Sequence, residues 1–153
     1  MQTAYEIVIA DTSCFILLDK IGELELLRSL FNQVTTTSII ADEFGEALPE
    51  WVIIKPVTSN YYLPITLDLD AGEASAIALA LESDNPLLIL DDDKARKTAR
   101  KLNLNLTGSL GIFLKAKQSG IVPLIKPIIE KVQQTNFRYS ENVLAEILSL
   151  AKE

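Results

Sequence analysis

Short runs rich in valine, isoleucine and leucine alternate along the chain with stretches in which apolar residues recur every three or four positions. The first pattern predicts strands at residues 6–10, 34–37, 52–57, 86–90 and 105–107. The second predicts helices at residues 12–20, 23–31, 38–47, 71–81, 94–103, 108–118, 123–133 and 141–152. Residues 58–70 predict a loop. Strands that alternate with helices indicate an α/β fold with a mainly parallel sheet. The length of 153 residues indicates a single domain over residues 1–153.

The last predicted helix carries an apolar stripe, for which Ser140 is the expected N-cap. The stripe consists of Val143, Leu144, Ile147, Leu148 and Ala151. It predicts a helix that either closes the core or docks on a second subunit.

The composition limits the kinds of metal site and catalytic mechanism that the chain can have. The chain has one cysteine and no histidine, which excludes an intrachain disulfide, zinc sites built from thiolates or imidazoles, and Ser-His-Asp or Cys-His catalysis. Catalysis would have to rest on carboxylates, hydroxyls, lysines or a metal held by oxygen. No basic leader and no long apolar run occur in the sequence, which predicts a soluble cytoplasmic protein without a membrane partner.

The net charge of −7 is unevenly distributed. Residues 1–93 hold 17 acids against 3 bases, and residues 94–153 hold 11 bases against 4 acids. This asymmetry indicates an acidic centre beside a basic surface, although solvated helix faces that differ in sign would give the same counts.

Two predicted strands end at acids. Asp11 follows the first strand, and Asp91 opens a run of three aspartates after the strand PLLIL. In an open parallel sheet, ligands bind beyond the carboxyl ends of the strands, and helices that start there point their partly positive N-termini at the same crevice.

Two further acids are predicted to face inward from helices. Glu43 follows Ile39 and Ile40 by four and three residues, and Glu73 shares a face with Ala76, Ile77 and Ala80.

Each acid taken alone also has a purely structural explanation. Asp11 could cap a helix, or Thr12 or Ser13 could do so, and the three aspartates could form a solvated turn. Glu73 could lie in a first helical turn only because its charge interacts favourably with the helix dipole, and Glu43 could be a surface residue. Four acids from four segments would nevertheless repel each other, which a divalent cation resolves. Oxygen ligands favour Mg²⁺ or Mn²⁺, which can activate a water for phosphodiester cleavage.

Five segments, in order, resemble the PIN-domain family of metal-dependent ribonucleases, which includes the VapC-like toxins of toxin-antitoxin pairs. They are IVIADTSCFILL, TTTSIIADEF, LDAGEASAIALALE, LLILDDDKARKTARKLN and LTGSLGIFLKAKQSGIV, over roughly residues 6–122. More narrowly, the chain is similar to a branch of predicted PIN-like nucleic-acid-binding proteins.

The resemblance implies a three-layer α/β/α sandwich around a five-stranded parallel sheet, with an acidic pocket that binds Mg²⁺ or Mn²⁺ and cuts RNA. By position it assigns the catalytic and metal-binding roles to Asp11, Glu43, Glu73 and Asp91, adds Asp92 as a metal ligand, and places the Ser13 hydroxyl beside the metal. It also implies a small antitoxin protein as partner and a homodimer.

A basic helix follows the fourth acid and could hold an RNA backbone beside the metal, because phosphate attraction by cations does not depend on sequence. Its basic residues are Lys94, Arg96, Lys97, Arg100 and Lys101. The same residues could instead form a solvated face, with Arg96 bracing the acids through an ion pair.

Two alternatives to a nuclease remain. Many PIN enzymes have aspartate where this chain has Glu73, and threonine where it has Ile89; these departures and the apolar C-terminal stripe favour a non-catalytic binding module. A HAD-like phosphatase also begins with an acid after its first strand, but it needs a second aspartate where this chain has Ser13.

Overall fold

The computed structural model describes residues 5–58 and 62–153, and within these ranges it has five strands and nine helices. The strands are β1 (Ile7–Ala10), β2 (Val34–Thr37), β3 (Val52–Lys55), β4 (Pro86–Ile89) and β5 (Asn105–Thr107). All pairings are parallel, and the strand order is β3-β2-β1-β4-β5. The prediction of an α/β fold with a mainly parallel sheet is confirmed.

The helices are α1 (Thr12–Lys20), α2 (Glu25–Phe31), α3 (Ser38–Phe44), α4 (Tyr62–Thr66), α5 (Ala71–Glu82), α6 (Asp93–Lys101), α7 (Ser109–Gln118), α8 (Lys126–Gln133) and α9 (Glu141–Leu150). Helix α5 packs against β1, β2 and β4, whereas α2 packs against β2 and α7. Every residue of β2 is buried, as expected for a strand covered on both faces. These layers confirm the three-layer α/β/α sandwich. Within the described ranges, none of the helices is long and apolar enough to cross a membrane.

Several helices begin or end at residues other than those predicted, because the local backbone conformation determines their ends. Helix α3 ends at Phe44, three residues before the predicted end, because Gly45 takes a left-handed conformation with φ of 77°. Glycine adopts this conformation without a steric penalty, so it is a frequent helix stop. Helix α8 begins at Lys126 instead of residue 123, with Pro127 in its first turn.

The prediction that residues 58–70 form a loop is wrong in part, because Tyr62–Thr66 form the short helix α4; residues 59–61 lie outside the described ranges. The sequence predicts a loop here because it contains Pro64, and proline usually breaks helices. Pro64 is the third residue of α4, within the first turn, where backbone N–H groups have no helical partner to lose.

Helix α9 closes one side of the core. Leu144, Ile147 and Ala151 are buried, and α9 packs against α7. Ser140 caps the helix as predicted, its Oγ accepting a hydrogen bond from the Val143 N–H at 3.1 Å. Leu144, Ile147 and Ala151 of the apolar stripe therefore serve the core of this chain, whereas Val143 is exposed. The predicted use of the stripe against a second subunit stays a prediction.

The order of the strands creates a crevice between β1 and β4. The chain runs outward from β1 to β2 and β3, then crosses to β4 and continues outward to β5. The loops that leave β1 and β4 therefore diverge to opposite sides and leave a gap at the carboxyl ends of the strands. Both loops begin at the predicted acids.

Candidate active site

Asp11 and Asp91 lie side by side at the ends of the two central strands. Ala10 pairs with Ile89 in the sheet, and the Asp11 N–H donates to the Ile89 carbonyl at 3.2 Å. Asp11 is 3% exposed, whereas Asp91 is half-buried. The parallel register therefore brings together two acids that are 80 residues apart in the sequence.

Asp91 is fixed by Ser109, the first residue of α7. The Ser109 N–H donates to Asp91 Oδ1 at 2.8 Å, and the Ser109 hydroxyl donates to Asp91 Oδ2 at 2.6 Å. A Cβ at Gly108 would lie 2.9 Å from Asp91 Oδ1, so glycine gives the carboxylate room. Analysis of the sequence did not single out Ser109 or Gly108; the TGSLG motif that contains both was the available signal.

Glu43 reaches the site from α3. Its Oε1 accepts a hydrogen bond from the Thr12 hydroxyl at 2.8 Å, and it lies over the start of α5, where a Cβ at Gly72 would be only 2.0 Å away. The Glu43 side chain is exposed, contrary to its predicted inward orientation, yet its carboxylate faces the site. Glycine at position 72 is what allows this approach.

A chain of buried hydroxyls joins the two helices that carry the glutamates. The Ser75 hydroxyl donates to the Gly72 carbonyl at 2.7 Å, and Thr37 Oγ1 accepts from the Ile40 N–H at 3.1 Å. Thr37 Oγ1 and Ser75 Oγ lie 2.7 Å apart. Since the Ser75 proton is already used, Thr37 donates in this pair. The starts of α3 and α5 are thereby fixed against each other.

Glu73 sits in the first turn of α5 and is 9% exposed. Asp70 caps this helix, its Oδ1 accepting from the Glu73 N–H at 2.9 Å. Burial, followed by the negative charges of Asp70, Asp92 and Asp11, raises the pKa of Glu73 from 4.5 to about 8. Asp70 is a site residue that sequence analysis missed, although an aspartate three residues before a glutamate is a known capping pattern.

Asp11 shows the same perturbation. Burial raises its pKa from 3.8 to about 7; the Thr12 backbone N–H opposes this rise, and the charges of Asp70, Glu43 and Asp91 add to it. We refer to the six acids Asp11, Glu43, Asp70, Glu73, Asp91 and Asp92 as the acid cluster. Two of its members hold protons near neutral pH, which is typical of functional sites.

None of the three residues that the sequence offered as N-caps of helix α1 caps it with its side chain. Asp11 occupies the N-cap position but makes no side-chain capping bond. Thr12 and Ser13 are not caps either, because both lie inside the first turn of α1, and the Thr12 hydroxyl binds Glu43. Among the described residues, the hydroxyls that contact acids of the cluster belong to Thr12 and Ser109, not to Ser13.

Asp92 has a structural role that its predicted metal-binding role did not anticipate. It is exposed, and its Oδ2 accepts from the Ala95 N–H at 3.0 Å, which caps α6. Its charge nevertheless contributes to the raised pKa of Glu73.

The predicted basic helix divides into two faces. Lys94, Lys97 and Lys101 are exposed to solvent, whereas Arg96 is half-buried. The Arg96 guanidinium donates to the Leu90 carbonyl at 2.8 Å, and among the described residues it forms no ion pair. The alternative that Arg96 braces the acids through an ion pair is therefore wrong; it braces the end of β4 instead.

The donor chemistry of the acid cluster fits a hard divalent cation. All its donors are carboxylate oxygens, and the raised pKa values of Asp11 and Glu73 show that the cluster lacks compensating positive charge. Within residues 5–58 and 62–153, no three acids converge closely enough on one point to form a ready-made metal site. The residues that could hold an ion are those nearest the crevice: Asp11, Glu43, Glu73 and Asp91.

Comparison with known proteins identifies the family of the chain. A family model described as a PIN domain matches residues 7–153, which is nearly the whole chain. The match includes β1, the sheet and all six acids. No curated protein sequence matches significantly.

Proposed function

Since the chain belongs to the PIN-domain family, a nuclease-like fold, we propose that it is a ribonuclease that uses Mg²⁺ or Mn²⁺ at the acid cluster to cut RNA phosphodiesters. The observation that supports this most strongly is the shared perturbation of Asp11 and Glu73. Burial, together with the negative charges of neighbouring acids, raises the pKa values of these two acids from different segments to about 7 and 8. An arrangement that costs this much in the free protein favours a cationic ligand.

When bound, such a cation supplies two effects, a lowered pKa for a nucleophilic water and neutralisation of charge on the phosphate. The chain's own residues provide the positions. Ser109 holds both oxygens of Asp91, and Thr12 holds Glu43. Asp11 and Glu73 would hold the cation as carboxylates, so each would give up its proton on binding, since a carboxylate must be deprotonated to act as a ligand.

The test is cleavage of total RNA and of tRNA by the purified protein in Mg²⁺, in Mn²⁺ and in EDTA. We expect fragments with metal only, and loss of activity in Asp11→Asn. Asp42→Asn is the matched control, because Asp42 is an exposed aspartate on α3, adjacent to Glu43. Equal activity of wild type and Asp11→Asn, or no cleavage with any metal, would refute the nuclease. Metal-raised thermal stability without cleavage would instead favour the non-catalytic binding module.

We also propose that the protein is the toxin of a toxin-antitoxin pair in the cytoplasm, acting as a homodimer. Only the resemblance of its sequence motifs to VapC-like toxins supports this role. Expression of the wild-type chain should arrest bacterial growth, and Asp11→Asn should not. A small protein encoded beside it should relieve the arrest and co-purify with it. Growth that is unaffected by strong expression of active protein would exclude the toxin role.

A further inference from the structure

Strand β2 (Val34–Thr37) consists of one valine and three threonines, all of them buried. Thr36 and Thr37, at its carboxyl end, are 0% exposed. A parallel strand that is covered on both faces is usually built from valine, isoleucine and leucine. Valine has nearly the same shape as threonine, and a buried hydroxyl costs free energy unless it forms hydrogen bonds. The partners of the two hydroxyls therefore show what these threonines contribute that valine would not.

The Thr36 hydroxyl fixes the peptide group that leads into Asp11. It donates to the Ala10 carbonyl at 2.8 Å, while the N–H of the same peptide group, that of Asp11, donates to the Ile89 carbonyl at 3.2 Å. Both polar atoms of this peptide group are thus bonded, one to β2 and the other to β4. Rotation of the peptide group would break these bonds. Thr36 therefore helps to set the direction in which the Asp11 carboxylate leaves the end of β1.

The Thr37 hydroxyl holds the two helices that carry the glutamates. Its oxygen accepts from the Ile40 N–H at 3.1 Å and so caps α3, the helix of Glu43. Its proton is donated to Ser75 Oγ at 2.7 Å, on α5, two residues after Glu73. Valine at position 37 could make neither bond. One hydroxyl therefore fixes the spacing between the starts of α3 and α5.

Two neighbouring residues of β2 thereby hold three of the segments from which acids of the cluster project. When ionised, Asp11 repels both Glu43 and Glu73. In the part of the chain that the structure describes, no three acids meet at one point, so the side chains have to close on an ion from fixed backbone positions. Groups that lie behind the ligands of a metal orient these ligands, and their loss lowers metal affinity.

We propose that the hydroxyls of Thr36 and Thr37 position the acid cluster for a divalent cation. They hold the segments of Asp11, Glu43 and Glu73 at a spacing from which the carboxylates can reach one ion. Both hydroxyls are buried and bonded to other groups, so they act through the acids and not as ligands. The proposal rests on the proposed function, because it takes the acid cluster as the metal site.

The test is a calorimetric titration of the full chain with Mn²⁺ at pH 7, without RNA. Thr36→Val and Thr37→Val keep the shape of the side chain and remove the hydroxyl. Ser75→Ala breaks the link between Thr37 and α5 but keeps the cap of α3. Thr35→Val is the matched control, because Thr35 is a buried threonine of the same strand. Among the described residues, its hydroxyl makes no hydrogen bond to another element.

A second measurement separates positioning from a merely structural role. Urea unfolding gives the stability of each variant, and the titrations are run at a temperature at which circular dichroism shows every variant to be folded. Thr37→Ser keeps the hydroxyl but loses a buried methyl group, so it should lower stability and still bind Mn²⁺ as wild type does. Metal affinity and stability therefore respond differently to the two changes at position 37.

We expect Thr36→Val, Thr37→Val and Ser75→Ala each to bind Mn²⁺ about tenfold more weakly than wild type, as is usual when a group behind a metal ligand is lost. Thr35→Val should bind Mn²⁺ as tightly as wild type does.

Unchanged Mn²⁺ affinity in the three hydroxyl variants of a protein that cuts RNA would overturn the positioning role and leave the nuclease intact. Affinity that falls in step with stability, in Thr37→Ser and Thr35→Val as well, would also overturn it. Weaker Mn²⁺ binding by the three variants of a protein that cuts no RNA would support the positioning role and refute the nuclease. A wild type that binds no Mn²⁺ would overturn both.

Discussion

Replacing Asp11 with asparagine should stabilise the metal-free protein at pH 8. Its carboxyl is 3% exposed, and its pKa of about 7 in the folded state compares with 3.8 for an unperturbed aspartate. At pH 8 Asp11 is ionised in both the folded and the unfolded chain. The folded state therefore carries the whole free-energy cost of the raised pKa. Three pKa units at about 1.4 kcal/mol each amount to about 4 kcal/mol.

The pH dependence of this gain follows from the sign of the shift. Between pH 3.8 and pH 7 the folded state binds the Asp11 proton and the unfolded state does not, so stability rises as the pH falls through this window. In wild type the penalty at pH 5 is only about 2 kcal/mol, because Asp11 is then protonated when folded. The advantage of Asp11→Asn should therefore be largest at pH 8 and roughly half as large at pH 5.

The assays are urea unfolding and thermal unfolding in EDTA, both followed by circular dichroism, with Asp42→Asn as control. For a domain of this size, about 4 kcal/mol corresponds to a rise in melting temperature of roughly 8 to 16 °C. The asparagine retains an oxygen that can accept from the Thr12 N–H, and its new amide N–H donors lie near the carboxylates of Asp70, Glu43 and Asp91, which can accept from them. If Asp11→Asn is no more stable than Asp42→Asn at pH 8, burial and neighbouring acids do not raise the pKa of Asp11, and the electrostatic argument for a cation fails.

Three other outcomes follow from the same geometry. Gly72→Ala should leave the fold intact but weaken Mn²⁺ binding in a titration, because its Cβ would lie 2.0 Å from Glu43 Oε1 and displace that flexible carboxylate; unchanged affinity would contradict the close approach. Ser109→Ala should lower stability by about 1–3 kcal/mol in urea unfolding, because it removes the hydroxyl bonded to Asp91, whereas exposed Ser149→Ala should have little effect; equal stability of the two variants would contradict this role. Mn²⁺ binding at pH 7 should release protons from Asp11 and Glu73, and the release should vanish near pH 9.5, where both side chains are already deprotonated. In calorimetry, proton release makes the binding enthalpy depend on the ionisation enthalpy of the buffer. A buffer-independent enthalpy at pH 7 would contradict the raised pKa values.

The sheet and its helices could be predicted from the sequence because each strand is a short buried run and each helix has its own period. β2 and β5 were located to the residue, and so was the start of α1. The helix α4 could not be predicted, since five residues with a central proline carry no helical period.

The acids themselves could be predicted, since Asp11 and Asp91 end strands that must be central. The residues that hold these acids in place could not be predicted, because their roles depend on contacts between distant segments. Ser109 binds an acid 18 residues earlier in the chain, and Thr12 binds one 31 residues later. The glycines at positions 72 and 108 look like ordinary helix and turn residues until the neighbouring carboxylates are placed.

A groove beside Asp91, lined by residues of α6, α7, α9 and the segment before α9, shows the same limit. Arg138 and Tyr139 lie far along the chain from α6, and only the packing of α9 on α7 brings them together. The asymmetry of charge pointed to a basic surface, but not to the face on which three arginines line a groove together with three acids.

The central claim is that acids from four segments of the chain hold one divalent cation. Anomalous diffraction from crystals soaked in Mn²⁺ tests it most directly. We predict a single strong peak in the crevice between β1 and β4, in contact with carboxylate oxygens of Asp11 and Asp91 and of at least one of Glu43 and Glu73. A peak elsewhere, or no peak in this crevice at saturating Mn²⁺, would contradict the claim.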